Sequence, residues 1–519
     1  MSYVIGLDIG TSGCKAGVVN EQGDVLSLGY REYAFTGPEP WQMECDANDL
    51  WNFCAEAVKE CISKSDVKPE EIKAIGLSVL GEVCFPVDKD ANPMLPGIHA
   101  LDSRANYYQK YVDWWVEKFG YLKAFQITSY PLSYLPSAMK IMWVRDNHPD
   151  IFDRTFKYCT VQDFVVWKLA GEPHIDYAMA SRTFLLDVTK HEWAKEFLTE
   201  LDLDQSLLAP LHDSTDVVGE VTRDAAKLTG LAEGTKVIVG GSDQPIVGLA
   251  VGAIRDGVVM DGAGSSEAIA TSSRSPIISE EMMQLGEGSQ CHIRKDLWLP
   301  IGFHVTCGHL IKWTRNQLGQ LEMSQEEASG DDAYDLITSE AAKSKPGANG
   351  LFVLPHWLGS GTGYNPPLNP DSRGTILGMT IANTKADIYR AIFEAVCYEV
   401  RVILESFENA GIPITELKVS GGGAKSPFWL QLKADITNKL IKVPGTTEAS
   451  LLGAAMLAAT GIGIYSSLED AVDVVCKDIS EYEPNKELAD LYDARFEVYK
   501  DLYHSLLPLN ARIRQSLAG

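Results

Sequence analysis

The sequence predicts an α/β protein built from two halves of like topology, and three observations predict it. Short apolar strand runs open the chain, and strands alternating with amphipathic helices follow, the order expected of an α/β sheet. A strand, Gly/Ser turn, strand pattern near the N-terminus recurs at 257–273. The chain has 519 residues, enough for two to four domains at about 100–200 residues each.

Residues 3–8, YVIGLD, are an apolar run ending in an acid. GTSGCK turns the chain, AGVVN returns it, Glu21-Gln22-Gly23-Asp24 turns it again, and VLSLGY follows. This reads as an antiparallel meander with Asp8 at the end of its first strand. Residues 47–63 read as an amphipathic helix and 72–78 as an apolar strand. Residues 103–170 read mainly as helix, including YYQKYVDWWVEKFGY and SAMKIMWVRDNHP, the latter closed by a proline. A strand at 236–240 runs into Gly240-Gly241-Ser242-Asp243. In the recurrence, GVVMDGAGSSEAIATSS, Gly10-Thr11-Ser12-Gly13 lines up with Gly264-Ser265-Ser266-Glu267. Asp8 falls opposite Gly262, so the second copy has no acid there. The repeat divides the chain into domains at 1–250 and 251–519. The second half continues with a helix at 385–408, a strand-to-loop signal at 417–425, a helix at 428–437, a short strand at 441–443 and a small-residue helix at 448–460. Residues 355–374, rich in Gly and Pro, read as an irregular loop.

Composition narrows the function. There are 45 Lys and Arg against 71 Asp and Glu, a net charge of −26. That argues against nucleic acid or an anionic membrane as a partner, while leaving room for a local phosphate pocket. With 45% hydrophobic and 22% charged residues, the chain is an ordinary globular one. Its ten cysteines form no CxxC pair and read as scattered thiols in a reducing compartment. MSYVIGLDIG has no basic region followed by an apolar one, and 451–464 is too short and Gly-broken to span a bilayer. A cytoplasmic protein is expected.

Three glycine-rich loops carry the chemistry. In Asp8-Ile9-Gly10-Thr11-Ser12-Gly13-Cys14-Lys15, Gly10 and Gly13 permit positive φ and let backbone N–H groups approach an anion. Thr11 and Ser12 add hydroxyl donors, Lys15 reaches toward a transferring phosphoryl group, and Asp8 is placed to hold Mg²⁺ through water. The plain alternative is a β-hairpin with ordinary turn residues. The spacing fits neither G-x-x-x-x-G-K-[ST] nor G-x-G-x-x-G. In Gly240-Gly241-Ser242-Asp243-Gln244, an acid on a glycine loop after a strand suits deprotonation of a hydroxyl, with Gln244 bonding a neighbouring one. The alternative is that Asp243 caps a helix starting at Pro245. In Ser420-Gly421-Gly422-Gly423-Ala424-Lys425-Ser426, three glycines let a flat group or a phosphate lie against backbone, or form a plain turn. His304-x-x-Cys307-x-His309 reads as core rather than a metal site, and Trp114, Trp115, Trp143, Trp167 and Trp313 read as core rather than sugar platforms.

Taken together and in this order, the Asp8 hairpin, the Asp243 loop, GAGSS, the DSRG element at 371–374, the triple-glycine loop and EASLLGAAMLAATGIG resemble the FGGY carbohydrate kinases. SGGGAKSPFWLQLKADI looks most like the xylulokinase branch. The resemblance implies two actin/ribonuclease-H-like domains flanking a cleft, with sugar mainly on the first and ATP with Mg²⁺ mainly on the second. By resemblance Asp243 is the general base and shares the metal with Asp8. Gly10, Thr11 and Ser12 face the γ-phosphate, Gly264, Ser265 and Ser266 form the second phosphate loop, and Gly421, Gly422 and Gly423 line the adenosine pocket with Phe428 and Gln431 nearby.

The sugar site departs from the xylulokinase pattern. Val79-Leu80-Gly81-Glu82-Val83 stands where that branch carries Gly-Gln-Met-His-Gly. Glu82 resembles the acid of the Arg-Glu pair of glycerol kinases, and Gln244 also looks glycerol-kinase-like. Asp102 and Arg104 match the family's Trp-x-Asp-x-Arg element, with Leu101 changed. Glu82, Asp102, Arg104 and Gln244 are the expected substrate-binding residues, each also open to a plain surface or capping role. The expected reaction is ATP-dependent phosphorylation of a ketopentose such as D-xylulose, or else of glycerol, erythritol, fuculose or rhamnulose. An actin-like regulatory ATPase is the alternative of another class; it would not need Asp243, Gln244, Asp102 or Arg104. Expected partners are ATP, a small sugar or polyol and a second copy of the chain, with no nucleic acid and no membrane.

Overall fold

The computed structural model describes residues 2–39, 41–102, 104–360 and 372–517. The first half contains strands β1 (Tyr3–Ile9), β2 (Gly13–Val19), β3 (Val25–Glu32), β4 (Ile72–Val79), β5 (Val217–Glu220) and β6 (Lys236–Ile238), with helices α1 (Ala47–Lys64), α2 (Val161–Ala170) and α3 (Asp243–Val251). The second contains β7 (Val258–Ala263), β8 (Glu267–Thr271), β9 (Gly288–Cys291), β10 (Trp298–His304), β11 (Glu416–Ser420), β12 (Leu440–Pro444) and β13 (Asp478–Tyr482). Its main helices are α4 (Cys307–Leu318), α5 (Lys385–Asn409), α6 (Pro427–Thr437), α7 (Ala449–Gly461) and α8 (Ala489–Leu517).

The two main sheets share one topology. The first runs β5-β6-β4-β1-β2-β3 and the second β9-β10-β8-β7-β11-β12-β13. In each, an antiparallel meander (β1-β2-β3 or β7-β8-β10) is joined by a parallel pair on the other side of its first strand (β4 and β6, or β11 and β12). Asp8 lies in register with Ser78 on β4, and Gly262 with Ser420 on β11, so the sequence alignment of Asp8 with Gly262 is also a structural one. The irregular loop falls largely outside the described residues: 361–371 are not described, and with them the Asp of the DSRG element.

The halves interlock through α3 and α7. Helix α7 comes from the second half yet packs on the first sheet, sharing a core with Val4, Ala74 and Ile246. Its seat is built by sequence: Gly17, Gly6 and Gly76 stand in register across three adjacent strands. A Cβ on Gly6 would run into the Leu451 carbonyl, and one on Gly76 into that of Ala454. Small residues on both surfaces let helix and sheet backbones approach, which explains the alanine-rich composition of α7. Helix α3, from the first half, packs in turn on the second sheet through Val247 and Val251 against Met260, Ala270 and Leu299.

Candidate active site

Asp8 is one residue from the end of β1. Gly241 and Ser242 bridge to Ser78 and Val79 at the end of β4, so Asp243, the next residue, begins α3 on the far side of the same strand end. The two acids meet at the carboxyl ends of parallel strands, where open α/β sheets bind ligands. Burial, and then the nearby Asp243 carboxylate, push Asp8 up to about 7. The Ser78 hydroxyl, 3.3 Å from Asp8 Oδ1, and Lys15 oppose this. Burial likewise pushes Asp243 above the usual carboxylate range; Arg182 opposes and Glu82 reinforces it. A base raised toward neutrality takes a hydroxyl proton more readily. Helix α3 starts at Asp243 with Ser242 as N-cap, not at Pro245, so Asp243 lies in the first helical turn rather than capping a later helix. Two adjacent carboxylates, both raised by burial, suit a divalent cation that also takes phosphate oxygens and water. Among the described residues no group of three or more His, Cys, Asp or Glu forms a metal site by itself.

Glu82 follows β4 in a left-handed backbone conformation, φ 60°, held in place by buried contacts. Tyr130 donates its hydroxyl to Glu82 Oε1 at 2.7 Å, and Arg182 forms an ion pair with the same carboxylate. Gln244 hydrogen-bonds the Asp243 carboxylate. Asp102 and Arg104 form a separate pair. Asp102 is fully buried and accepts from Met43 N at 2.8 Å and Arg104 Nε at 3.0 Å. Arg104 also pairs with Glu44 and lies 4.7 Å from the Trp143 ring centroid. His99 stands between the two groups: burial holds it down to about 4, while Glu82 and Asp102 both pull the other way.

The tips of both hairpins are exposed at Thr11 and Ser12, and at Gly264, Ser265 and Ser266. Gly10 and Gly13 are not among the positive-φ glycines, contrary to expectation. What Gly13 supplies is space, since a Cβ there would lie 2.6 Å from the Arg31 carbonyl oxygen. Lys15 donates to Glu448 Oε2 at 2.9 Å, just ahead of α7. The second hairpin is buttressed by α4, where Gly308 N donates to Gly264 O at 3.1 Å and His309 N to Ser265 O at 3.0 Å. Gly421 does need its conformation, φ 85°, and a Cβ there would lie 2.7 Å from the Ala263 carbonyl oxygen. The triple-glycine loop of Gly421, Gly422 and Gly423 therefore presses against the second hairpin. Phe428 meets Phe393 edge-on at 5.8 Å between centroids. Gln431 Nε2 donates to Asp435 Oδ1 and Glu483 O, each at 2.8 Å.

Sequence reasoning missed two sets of residues. One is Arg182 and Tyr130 around Glu82. The other lies beneath the second hairpin: Lys433 of α6 pairs with Asp261 of β7 and, at 2.6 Å, with Glu267 of β8, all buried. Against the push of burial, Lys433 holds Glu267 down to about 2, while Asp261 stays well above its ordinary value because burial outweighs the same lysine. Lys433 occupies a helix position where the sequence pattern reads core, and only its two partners mark it as more.

Paired sheets of one topology, two hydroxyl-tipped hairpins and an acid at the strand ends between them define a class of two-domain phosphotransferase. The comparisons identify the family: the FGGY family of carbohydrate kinases matches as its N-terminal domain over residues 3–250 and as its C-terminal domain over 262–462. The chain belongs to that family and is an ATP-dependent carbohydrate kinase, a phosphotransferase with an alcohol group as acceptor. It is 28% identical over 518 residues to the xylulose kinase of Bacillus subtilis (strain 168), covering 99% of each chain. It is 27% identical over 479 residues to the gluconokinase of the same organism, covering 91% of this chain and 90% of that one. The ligand-bound xylulose kinase structure from Lactobacillus acidophilus superposes with a TM-score of 0.88 at 22% identity, covering 98% of each chain. Among the described residues no helix is long and apolar enough to cross a membrane.

Proposed function

We propose that this kinase transfers the γ-phosphoryl group of ATP to a hydroxyl of a small ketose or polyol, with D-xylulose the first candidate. The observation that carries the reading is the placement of Asp243, a raised carboxylate beside Asp8 on one side and the Glu82–Arg182–Tyr130 cluster on the other. The similarity to xylulose kinases over the whole chain supports the ketopentose.

Asp243 accepts the proton of the attacking hydroxyl as its oxygen bonds to the γ-phosphorus. The bond to the β–γ bridging oxygen breaks, and ADP leaves with that electron pair. Asp8 and Asp243 would hold Mg²⁺, which when bound neutralises phosphate charge. Gly10, Thr11, Ser12 and Lys15 serve one face of the phosphates and Gly264, Ser265 and Ser266 the other. Gly421, Gly422 and Gly423 carry the nucleoside, with Phe428 and Gln431 supporting their helix. Glu82 and Gln244 position the acceptor, while Asp102 holds Arg104 at the outer side of the site. Positioning and charge neutralisation suffice, since phosphoryl transfer needs no covalent protein intermediate.

The test is coupled ATP consumption over a panel of ketoses and polyols. D-xylulose is expected to stimulate turnover most. Asp243→Ala is expected to lower kcat by about 10²–10⁴-fold while sparing ATP binding; a fully active variant would overturn the mechanism. A homodimer is part of the same proposal. Leu491, Val498, Leu509 and Ile513 remain exposed along one stripe of α8, an apolar face that a second copy would cover. Light scattering is expected to give twice the chain mass, and the chain mass itself would refute the dimer.

A further inference from the structure

Resting on the reading above, we propose that the Arg182–Glu82 ion pair determines acceptor specificity: from a distant part of the chain Arg182 places a guanidinium beside Gly81, and the pair, its charges matched, takes an uncharged diol rather than an acidic sugar.

The geometry carries this. Arg182 ends the short helix Tyr177–Ser181 and is 5% exposed. Its guanidinium fills the space over Gly81, where a Cβ would lie 2.6 Å from Nε and 3.1 Å from Nη2. It pairs with Glu82, which also accepts from Tyr130, and it lies 5.8 Å from the Tyr130 ring centroid. From the other half of the molecule, Gln290 of β9 accepts from Nη1 at 3.2 Å. The Asp243 carboxylate lies within the field of this cation. The cluster therefore adjoins the base and reaches across both halves.

A guanidinium beside a carboxylate sets donors next to acceptors, which two neighbouring hydroxyls complement. The charge balance supplies the selectivity. Arg182 stands among two carboxylates, Glu82 and Asp243, and its charge is already matched by Glu82. Lys140, the next cation toward Glu82, is tied to the carbonyls of Tyr134 and Leu135. A carboxylate-bearing acceptor such as gluconate would bring a third negative charge into this buried site, and like charges at close range are costly there. An uncharged ketose or polyol brings none. A Cβ at position 81 would force the guanidinium to shift from this place, so glycine leaves it room.

Steady-state kinetics of the full chain test this, with ATP and D-xylulose, glycerol, erythritol, L-rhamnulose and D-gluconate as acceptors. Wild type is expected to use its best uncharged acceptor at least about 100-fold more efficiently than gluconate. Arg182→Met is expected to raise the acceptor KM by ~10–100-fold while the KM for ATP stays within about twofold, and Arg182→Lys to recover part of the loss. Gly81→Ala retains Arg182 but displaces its guanidinium, and is expected to reproduce the same split between the two KM values even where Arg182→Met folds poorly. An unchanged acceptor KM in Gly81→Ala, or gluconate used as well as the best uncharged acceptor, would overturn the proposal alone. Wild type that consumes ATP with none of these acceptors would overturn the substrate reading and this proposal with it.

Discussion

At the scale of single residues, what could be read from sequence was what local spacing encodes. Asp8 and Asp243 each stand at a strand end beside glycines, so their neighbours announce them. Arg182 and Lys433 are announced by nothing nearby, because the partners that give them meaning lie on other strands and helices. Lys433 is the sharper case. Its ammonium is buried between Asp261 and Glu267 at the root of the hairpin that carries Gly264, Ser265 and Ser266. It also sits on the helix that follows the triple-glycine loop, so it ties that loop and the second hairpin together. Lys433→Met should leave buried Asp261 without its cation and Glu267 with His304 at 3.6 Å, at a cost of about 3–5 kcal/mol, read as a lower denaturant midpoint. Adding Asp261→Asn and Glu267→Gln removes the stranded charge and should recover most of that loss. A stable single variant would mean that the triad carries no such weight. In the folded fraction the KM for ATP should rise while that for the acceptor holds, since the hairpin rather than the Glu82 cluster is loosened.

At the scale of elements, the meander, α1 and the helices around 428–437 and 448–460 were legible because hydrophobic period and turn residues are local signals. The docking of α7 was not. Its alanines advertise close packing but do not say against what, and the answer is the first sheet rather than the second. The matching surface is the row of Gly17, Gly6 and Gly76, which are far apart in the chain and adjacent only once the strands pair in register. Gly6→Ala puts a methyl group where the Leu451 carbonyl lies and should force α7 off its seat, costing about 1–3 kcal/mol. Because α7 follows directly after Glu448, the partner of Lys15, the displacement should reach the hairpin that carries Thr11 and Ser12. Equilibrium unfolding measures the first effect and the KM for ATP the second; wild-type values in both would show that the seam tolerates a Cβ.

For the whole molecule, the two-domain architecture was visible in the repeated hairpin, but the stability of the assembled protein depends on groups that composition averages away. A net charge of −26 says only that carboxylates are abundant. Which of them resist ionisation follows from the fold. Glu287, between the helix Glu280–Leu285 and β9, is fully buried, accepts from the Ser406 hydroxyl of α5, and is pushed by burial from its ordinary 4.5 up to about 8. Asp163 on α2 is raised by burial to about 7 in the same way. The sign follows from proton linkage. Between the ordinary carboxyl range and the raised value, the folded state keeps a proton that the unfolded state has lost, so stability falls as pH rises through this window and levels off above it. That is opposite to the behaviour of Glu399, which His356 and Tyr499 hold down to about 2 against the push of burial and which contributes stability lost only in acid. Glu287→Gln keeps an acceptor for Ser406 and removes the titration. Its melting temperature relative to wild type should therefore climb between pH 4.5 and about 8 and then stay level, whereas a difference that does not change with pH would show that Glu287 ionises no differently in the folded and unfolded chains.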